Sequence, residues 1–160
     1  MSVNAKLVSI DRKELYILEN LLQLYLYDIS YYFPIDFDSL NGKYIYEGLE
    51  KYVDSSNDYA YFIKYENSIV GFILVGKDND SYILQEIFVL NNFKNKGLGE
   101  DAVHKLFHQI GGEWIIKSLP CSTLAEKFWN KTISNYTDGK YKVEHVGKYN
   151  RAFFTFESIE

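Results

Sequence analysis

Lys94-Asn95-Lys96-Gly97-Leu98-Gly99 sets two cations and two glycines within six residues, behind the apolar run YILQEIFVL and ahead of a helical pattern. Residues of these types at this spacing suit an anion. A turn feeding a helix N-terminus exposes unpaired N–H groups at the positive end of the helix dipole. Glycine lets backbone approach a ligand with no Cβ in the way. The lysines add charge beside the turn, and the expected ligand is a phosphate or pyrophosphate.

Two common phosphate motifs fit poorly. A P-loop needs G-x-x-x-x-G-K-[ST], which is absent. Gly97-Leu98-Gly99-Glu100-Asp101-Ala102 does match G-x-G-x-x-A of dinucleotide-binding turns. That motif wants its first glycine directly after the strand and an acid about twenty residues on. Here Asn91 to Lys96 intervene, and Lys117 occupies the later place. Other chemistry is sparse. Cys121 is the only cysteine, which excludes internal disulfides and cysteine-cluster metal sites. A lone cysteine at a helix start reads as inert. His104 and His108 share a helix face, but no third ligand is visible and no metal is expected.

The elements that must position the loop follow from periodicity. AKLVSI reads as a strand, and Leu15, Leu18, Leu22, Tyr25 and Ile29 recur at helical spacing between Arg12 and Ser30. A second helix is expected over Leu40 to Val53. The stretch from Asp58 to Leu90 reads as three strands broken at Glu66-Asn67-Ser68 and Lys77 to Asp80. A helix through Leu98, Ala102, Val103, Leu106, Phe107 and Ile110 stops at Gly111-Gly112. EWIIKSL is a strand, and Thr123-Leu124-Ala125-Glu126 has the form of a capping box opening another helix. KYKVEHVG and RAFFTFES read as an antiparallel pair. This is a single α/β domain over 1–160, with a mixed, mostly antiparallel sheet and about four helices.

Composition agrees with an ordinary globular chain, at 47% hydrophobic and 24% charged residues. A net charge of −5 argues against a nucleic-acid partner held by phosphate contacts. No signal-peptide core and no apolar run of membrane-spanning length are present, so a cytoplasmic location without membrane association is expected.

The loop resembles the acetyl-CoA loop of the GNAT superfamily of N-acetyltransferases. Its signature Q/R-x-x-G-x-G/A is similar to Lys94 through Gly99, and the longer V-x-P-x-x-R-G-K-G-I-G lies over Val89 to Gly99 without a gap. The superfamily's N-x-x-A-x-x-F-Y resembles Ser122 to Trp129, and AEKFWNKTISNYT is similar to a bacterial branch of the group. The element order matches as well, so the resemblance covers nearly the whole chain. Departures are Lys94 for Gln or Arg, Asn91 for proline, Ser122 for Asn and Trp129 for Tyr. Glu100 and Asp101 are acids close to the expected pyrophosphate.

The resemblance implies a GNAT fold in which the strand YILQEIFVL splays from EWIIKSL at a bulge, and pantetheine fills the gap. Cofactor contacts would then come from Ile87, Phe88, Val89, Lys94, Asn95, Lys96, Gly97, Leu98, Gly99, Ser122, Phe128 and Trp129. The Val89 N–H would polarise the thioester carbonyl. Glu86 is the candidate base for direct attack by an amine. The usual tyrosine acid is replaced by Trp129, whose indole is no acid at neutral pH, and Tyr136 or Ser122 are the substitutes. Between Tyr27 and Asp58 stand seven acids against two lysines, with six tyrosines. An acidic, aromatic rim suits a small cationic acceptor. A non-catalytic module binding CoA or a metabolite is the alternative, and a homodimer is possible through the last strands.

Overall fold

The computed structural model describes residues 3–159. Its order is β1 (Lys6–Ser9), α1 (Leu15–Ile29), β2 (Phe37–Asp38), β3 (Lys43–Tyr44), α2 (Lys51–Asp54), β4 (Tyr59–Tyr65), β5 (Ser68–Asp78), β6 (Ser81–Val89), α3 (Leu98–Gln109), β7 (Glu113–Lys117), α4 (Thr123–Thr137), β8 (Lys142–Val146) and β9 (Arg151–Glu157). Short 3-10 turns precede α1 and follow β6. The sheet runs β1-β4-β5-β6-β7-β9-β8, antiparallel except for the β6–β7 pair.

Alternation along the strands divides the apolar residues between two cores. One face carries Tyr61, Ile63, Ile73, Val75, Leu84, Trp114, Ile116, Phe154 and Phe156 against α3 and α4. The other carries Ala60, Phe62, Phe72, Leu74 and Phe88 against α1 and α2. The stripe Leu18, Leu22, Leu26 and Ile29 is what α1 buries, as its spacing predicts. On α3 the buried stripe is Leu98, Ala102, Val103, Leu106 and Phe107.

Two expectations are corrected. Leu40 to Val53 does not form one helix. A small β2–β3 hairpin occupies its first part, and only Lys51–Asp54 is helical. The Asp38 carboxylate accepts from the N–H groups of Leu40 and Asn41, and Gly42 adopts φ +69°. Such a side-chain-locked turn competes directly with helix. The cap of α4 is also one residue earlier than the apparent capping box. The Ser122 hydroxyl accepts from the Ala125 N–H at 3.1 Å, while Glu126 pairs with His145 on β8.

Candidate active site

The site begins with a mismatch in the sheet. Opposite β5, Leu74 pairs with Glu86 but Val75 pairs with Leu84, so Gln85 is the extra, bulged residue of β6. Simple alternation would put Leu84, Glu86 and Phe88 on one face. Across the bulge, Leu84 stays with the α3/α4 core, whereas Phe88 joins the α1 core and Glu86 turns with it. Ile87 and Val89 pack on the α3/α4 side.

The same strand leaves its parallel neighbour. Pairing of β6 with β7 runs only from Ser81↔Glu113 to Leu84↔Ile116, so Gln85 to Val89 have no partner on that edge. The Leu90 N–H bonds the Val70 carbonyl at 2.8 Å, and the Phe88 carbonyl points at Gly71 of β5. By alternation, the N–H and C=O groups of Ile87 and Val89 face the opened gap. Gly71 is required there, because a Cβ would lie 1.9 Å from the Phe88 carbonyl oxygen. An open cleft of about 730 Å³ begins at this edge, walled by Tyr25, Asp28 and Tyr32 of the α1 end, by Val89 and Lys94, and by Leu119 after β7.

Beyond the strand the chain makes a 3-10 turn at Asn91–Phe93 and enters α3 through Gly97 at φ +80°. The first intrahelical bond is Asp101 N–H to the Gly97 carbonyl at 3.0 Å. The N–H groups of Leu98, Gly99 and Glu100 precede it and have no intrahelical acceptor. Gly97 supplies a left-handed conformation, whereas at Gly99 a Cβ would make only ordinary contacts, with Phe128 at 3.5 Å and Val89 at 3.9 Å. Asn95 is also left-handed, at φ +63°. Lys94 reaches the Asp28 carboxylate at 3.7 Å across the cleft, and Lys96 lies over the Phe93 ring.

The two acids that open α3 are engaged elsewhere. Asp101 accepts from the Ala5 N–H at 2.7 Å and from Lys105 at 2.9 Å. Glu100 accepts from Asn135 at 2.7 Å and lies 3.8 Å from Lys131. They tie α3 to β1 and α4 and are partly neutralised there.

Glu86 faces Tyr25 of α1, with Tyr46 and Arg151 within electrostatic range. Burial pushes its carboxyl up to about 7, against the Tyr25 hydroxyl and the charge of Arg151, both of which pull it down. Burial, then the Glu86 charge, keeps the Tyr25 phenol well above its ordinary value, so it remains a donor. Tyr25 is fixed edge-on to Phe72 and Phe88 at 5.8 and 5.9 Å. A carboxyl that titrates near neutrality beside an open strand edge is equipped to take a proton.

Tyr136 is not brought to Glu86. It is buried in the α3/α4 core against Phe107 and Phe156, and its hydroxyl exchanges bonds with the Ile159 backbone. Trp129 is buried beside Phe128 in that core, and Ser122 spends its acceptor on the α4 cap. Cys121 is exposed and left-handed, at φ +63°. His104 bonds the Thr132 carbonyl at 2.8 Å, and among the described residues no group of three metal-ligating side chains forms. Tyr25 and Arg151 were missed by sequence reasoning, and Tyr46 was read only as one tyrosine of the acceptor rim. Tyr25 looks like one more member of the α1 apolar stripe, and nothing in the sequence links Arg151 to a strand so distant along the chain.

A sheet opened at a bulge, with an anion-ready helix start at the end of the opened strand, defines an acyl-CoA N-acyltransferase type of fold. The chain belongs to the GNAT acetyltransferase family, whose model matches residues 20–131. Solved structures agree in fold over nearly their whole length. An acetyltransferase from Thermus thermophilus matches with a TM-score of 0.74 and 12% identity, over 98% of this chain and 99% of that one. A RimL ribosomal L7/L12 alpha-N-protein acetyltransferase in complex with coenzyme A matches with a TM-score of 0.65 and 12% identity, over 98% and 95%. An aminoglycoside 6'-N-acetyltransferase complexed with coenzyme A matches with a TM-score of 0.60 and 14% identity, over 97% and 98%. No curated protein matches the sequence. Among the described residues no helix is long and apolar enough to cross a membrane.

Proposed function

We propose that the protein is an acetyl-CoA-dependent N-acetyltransferase that moves an acetyl group to a primary amine by direct attack. The observation that carries this reading is the opened edge of β6, with Glu86 on one side and the α3 N-terminus beyond its end. Pantetheine would lie along the free backbone groups of Ile87 and Val89, packed over Val89 and Phe128. The pyrophosphate would sit on the Leu98, Gly99 and Glu100 N–H groups, with Lys94 and Lys96 beside it. Val89 N–H would hold the thioester oxygen.

An ordinary alkylamine, with a pKa near 10.4, costs about 4.6 kcal/mol to deprotonate at pH 7. Glu86, pushed up to about 7, takes that proton as the amine nitrogen bonds to the thioester carbon. The C–S bond then breaks, and the CoA thiolate leaves to be protonated by solvent. No proton is assigned to Tyr136, whose hydroxyl the Ile159 backbone already occupies. The acidic rim attracts the protonated amine less than its composition suggests. Asp28 is paired with Lys94, Asp54 with Arg12, and Asp38 with its own turn. A small monoamine fits this better than a polycation.

The test is a calorimetric titration with acetyl-CoA, with NADPH as the phosphate-bearing control, followed by an amine screen. Acetyl-CoA alone should bind, and Gly97→Asp should abolish it by straining the turn and placing a carboxylate at the anion site. Equal binding of NADPH, or no binding of acetyl-CoA, would sink the reading.

A further inference from the structure

The sheet face that carries Glu86 is covered by α1 over only half its width. Its core there draws on β4, β5 and β6, with Leu119 at the margin. On β7 and β9 the residues turned to that face include Lys117, Arg151 and Phe153, because Ile116, Ala152 and Phe154 are buried on the other, and Glu144 of β8 pairs opposite Phe153. Among the described residues no helix covers them. Phe153 lies there partly buried, with Lys117 Nζ at 5.4 Å and Arg151 Cζ at 5.9 Å from its ring centre.

Arg151 is held in a particular place. Its Nε donates to the Ser118 carbonyl at 2.5 Å. Had β6 and β7 kept the register that pairs Leu84 with Ile116, Glu86 would stand opposite Ser118. The strands part before that point, so the guanidinium is fixed on the β7 bank of the gap while Glu86 stands on the β6 bank. The two charges influence each other without touching: among the described residues Arg151 makes no ion pair. Its Nη groups have no side-chain or carbonyl acceptor among the described residues. A partly buried guanidinium with one edge anchored and its fork free is shaped for a carboxylate.

We infer that Arg151 anchors a carboxylate on the acceptor, so the acceptor is an amine carrying a carboxylate close to the reacting nitrogen, of the amino-acid class. Such a ligand meets both banks at once, its nitrogen at Glu86 and its carboxylate at Arg151. The inference rests on the acetyltransferase reading above.

The experiment pairs L-amino acids with their carboxamides, which keep the amine and lose the anion. Acetyl transfer is measured at saturating acetyl-CoA, and CoA-loaded protein is titrated with the same pairs. For the favoured pair the acid should have a KM about 30-fold below that of the amide. Measured at a pH above the titration of Glu86, Arg151→Gln should erase that difference by raising the acid's KM far more than the amide's, with the affinity for acetyl-CoA unchanged. Arg151→Lys, which keeps the charge but not the fork, should restore part of it. Acids and amides used alike by the wild-type protein would overturn the inference. So would an equal loss for both in Arg151→Gln, or only a common shift of their pH profiles, since Arg151 would then merely balance Glu86. Failure of every pair to bind also overturns it. Acid-selective binding that depends on Arg151, without transfer, would keep the anchor and sink the transferase reading alone.

Discussion

Gln85 is bulged, and the facing of every residue beyond it on β6 depends on that single insertion. The sequence places Glu86 in a strand of the right kind, but alternation from Leu84 would aim it into the α3/α4 core. No residue type in QEIFV announces the bulge, so position was legible and orientation was not. The orientation has kinetic consequences. A base works ionised, so activity should rise with pH through about 7 and level off above it. Glu86→Gln should remove that limb and lower kcat by about 10²–10³-fold, with the affinity for acetyl-CoA unchanged. Tyr25→Phe is the subtler variant. It deletes the donor that stabilises the ionised carboxyl, so the limb should move to higher pH, and an unmoved limb would show that Tyr25 serves only packing.

At the scale of elements, the long regular pieces were legible because their apolar residues repeat with one period. Leu18, Leu22, Leu26 and Ile29 are all buried on one side of α1, as their spacing requires. The β2–β3 hairpin was not, because its stability lies in an Asp38 turn with apolar residues placed ambiguously around it. The opened edge of β6 was implied by the family resemblance, whereas the close fit of its other edge to β5 was not. At Gly71 the backbone of β5 presses against the Phe88 carbonyl with no room for a methyl group. Gly71→Ala must therefore move one strand, and a cost of about 3 kcal/mol is expected from such overpacking. Urea unfolding would measure it, and acetyl-CoA titration of the folded fraction should show weakened binding. Ser122→Ala removes only the α4 cap and should cost about 1 kcal/mol, with little change in cofactor affinity.

For the whole molecule, a carboxyl held near 7 in the folded state opposes folding at neutral pH. Glu86 titrates at about 4.3 when unfolded and at about 7 when folded, so between those values the native state holds more protons than the unfolded one. The slope of unfolding free energy with pH is then negative. The contribution of Glu86 is neutral below about pH 4 and increasingly destabilising as pH rises to about 7, after which it is constant. Tyr25 and Arg151 reduce this cost without removing it, because burial is the larger effect. Glu86→Gln carries no charge to bury and keeps an acceptor for Tyr25. It should match the wild-type protein at pH 4 and exceed it at pH 8 by about 3.5 kcal/mol, a Tm difference of about 10 °C for a domain of this size. Taking the difference between the two proteins at each pH cancels the titration of every other group. If the wild-type protein were as stable as Glu86→Gln at pH 8, the carboxyl would be titrating as in water, and it would hold no special proton affinity for an incoming amine. A stabilised but inactive Glu86→Gln would place the cost of burying this charge and its use in proton transfer on the same side chain.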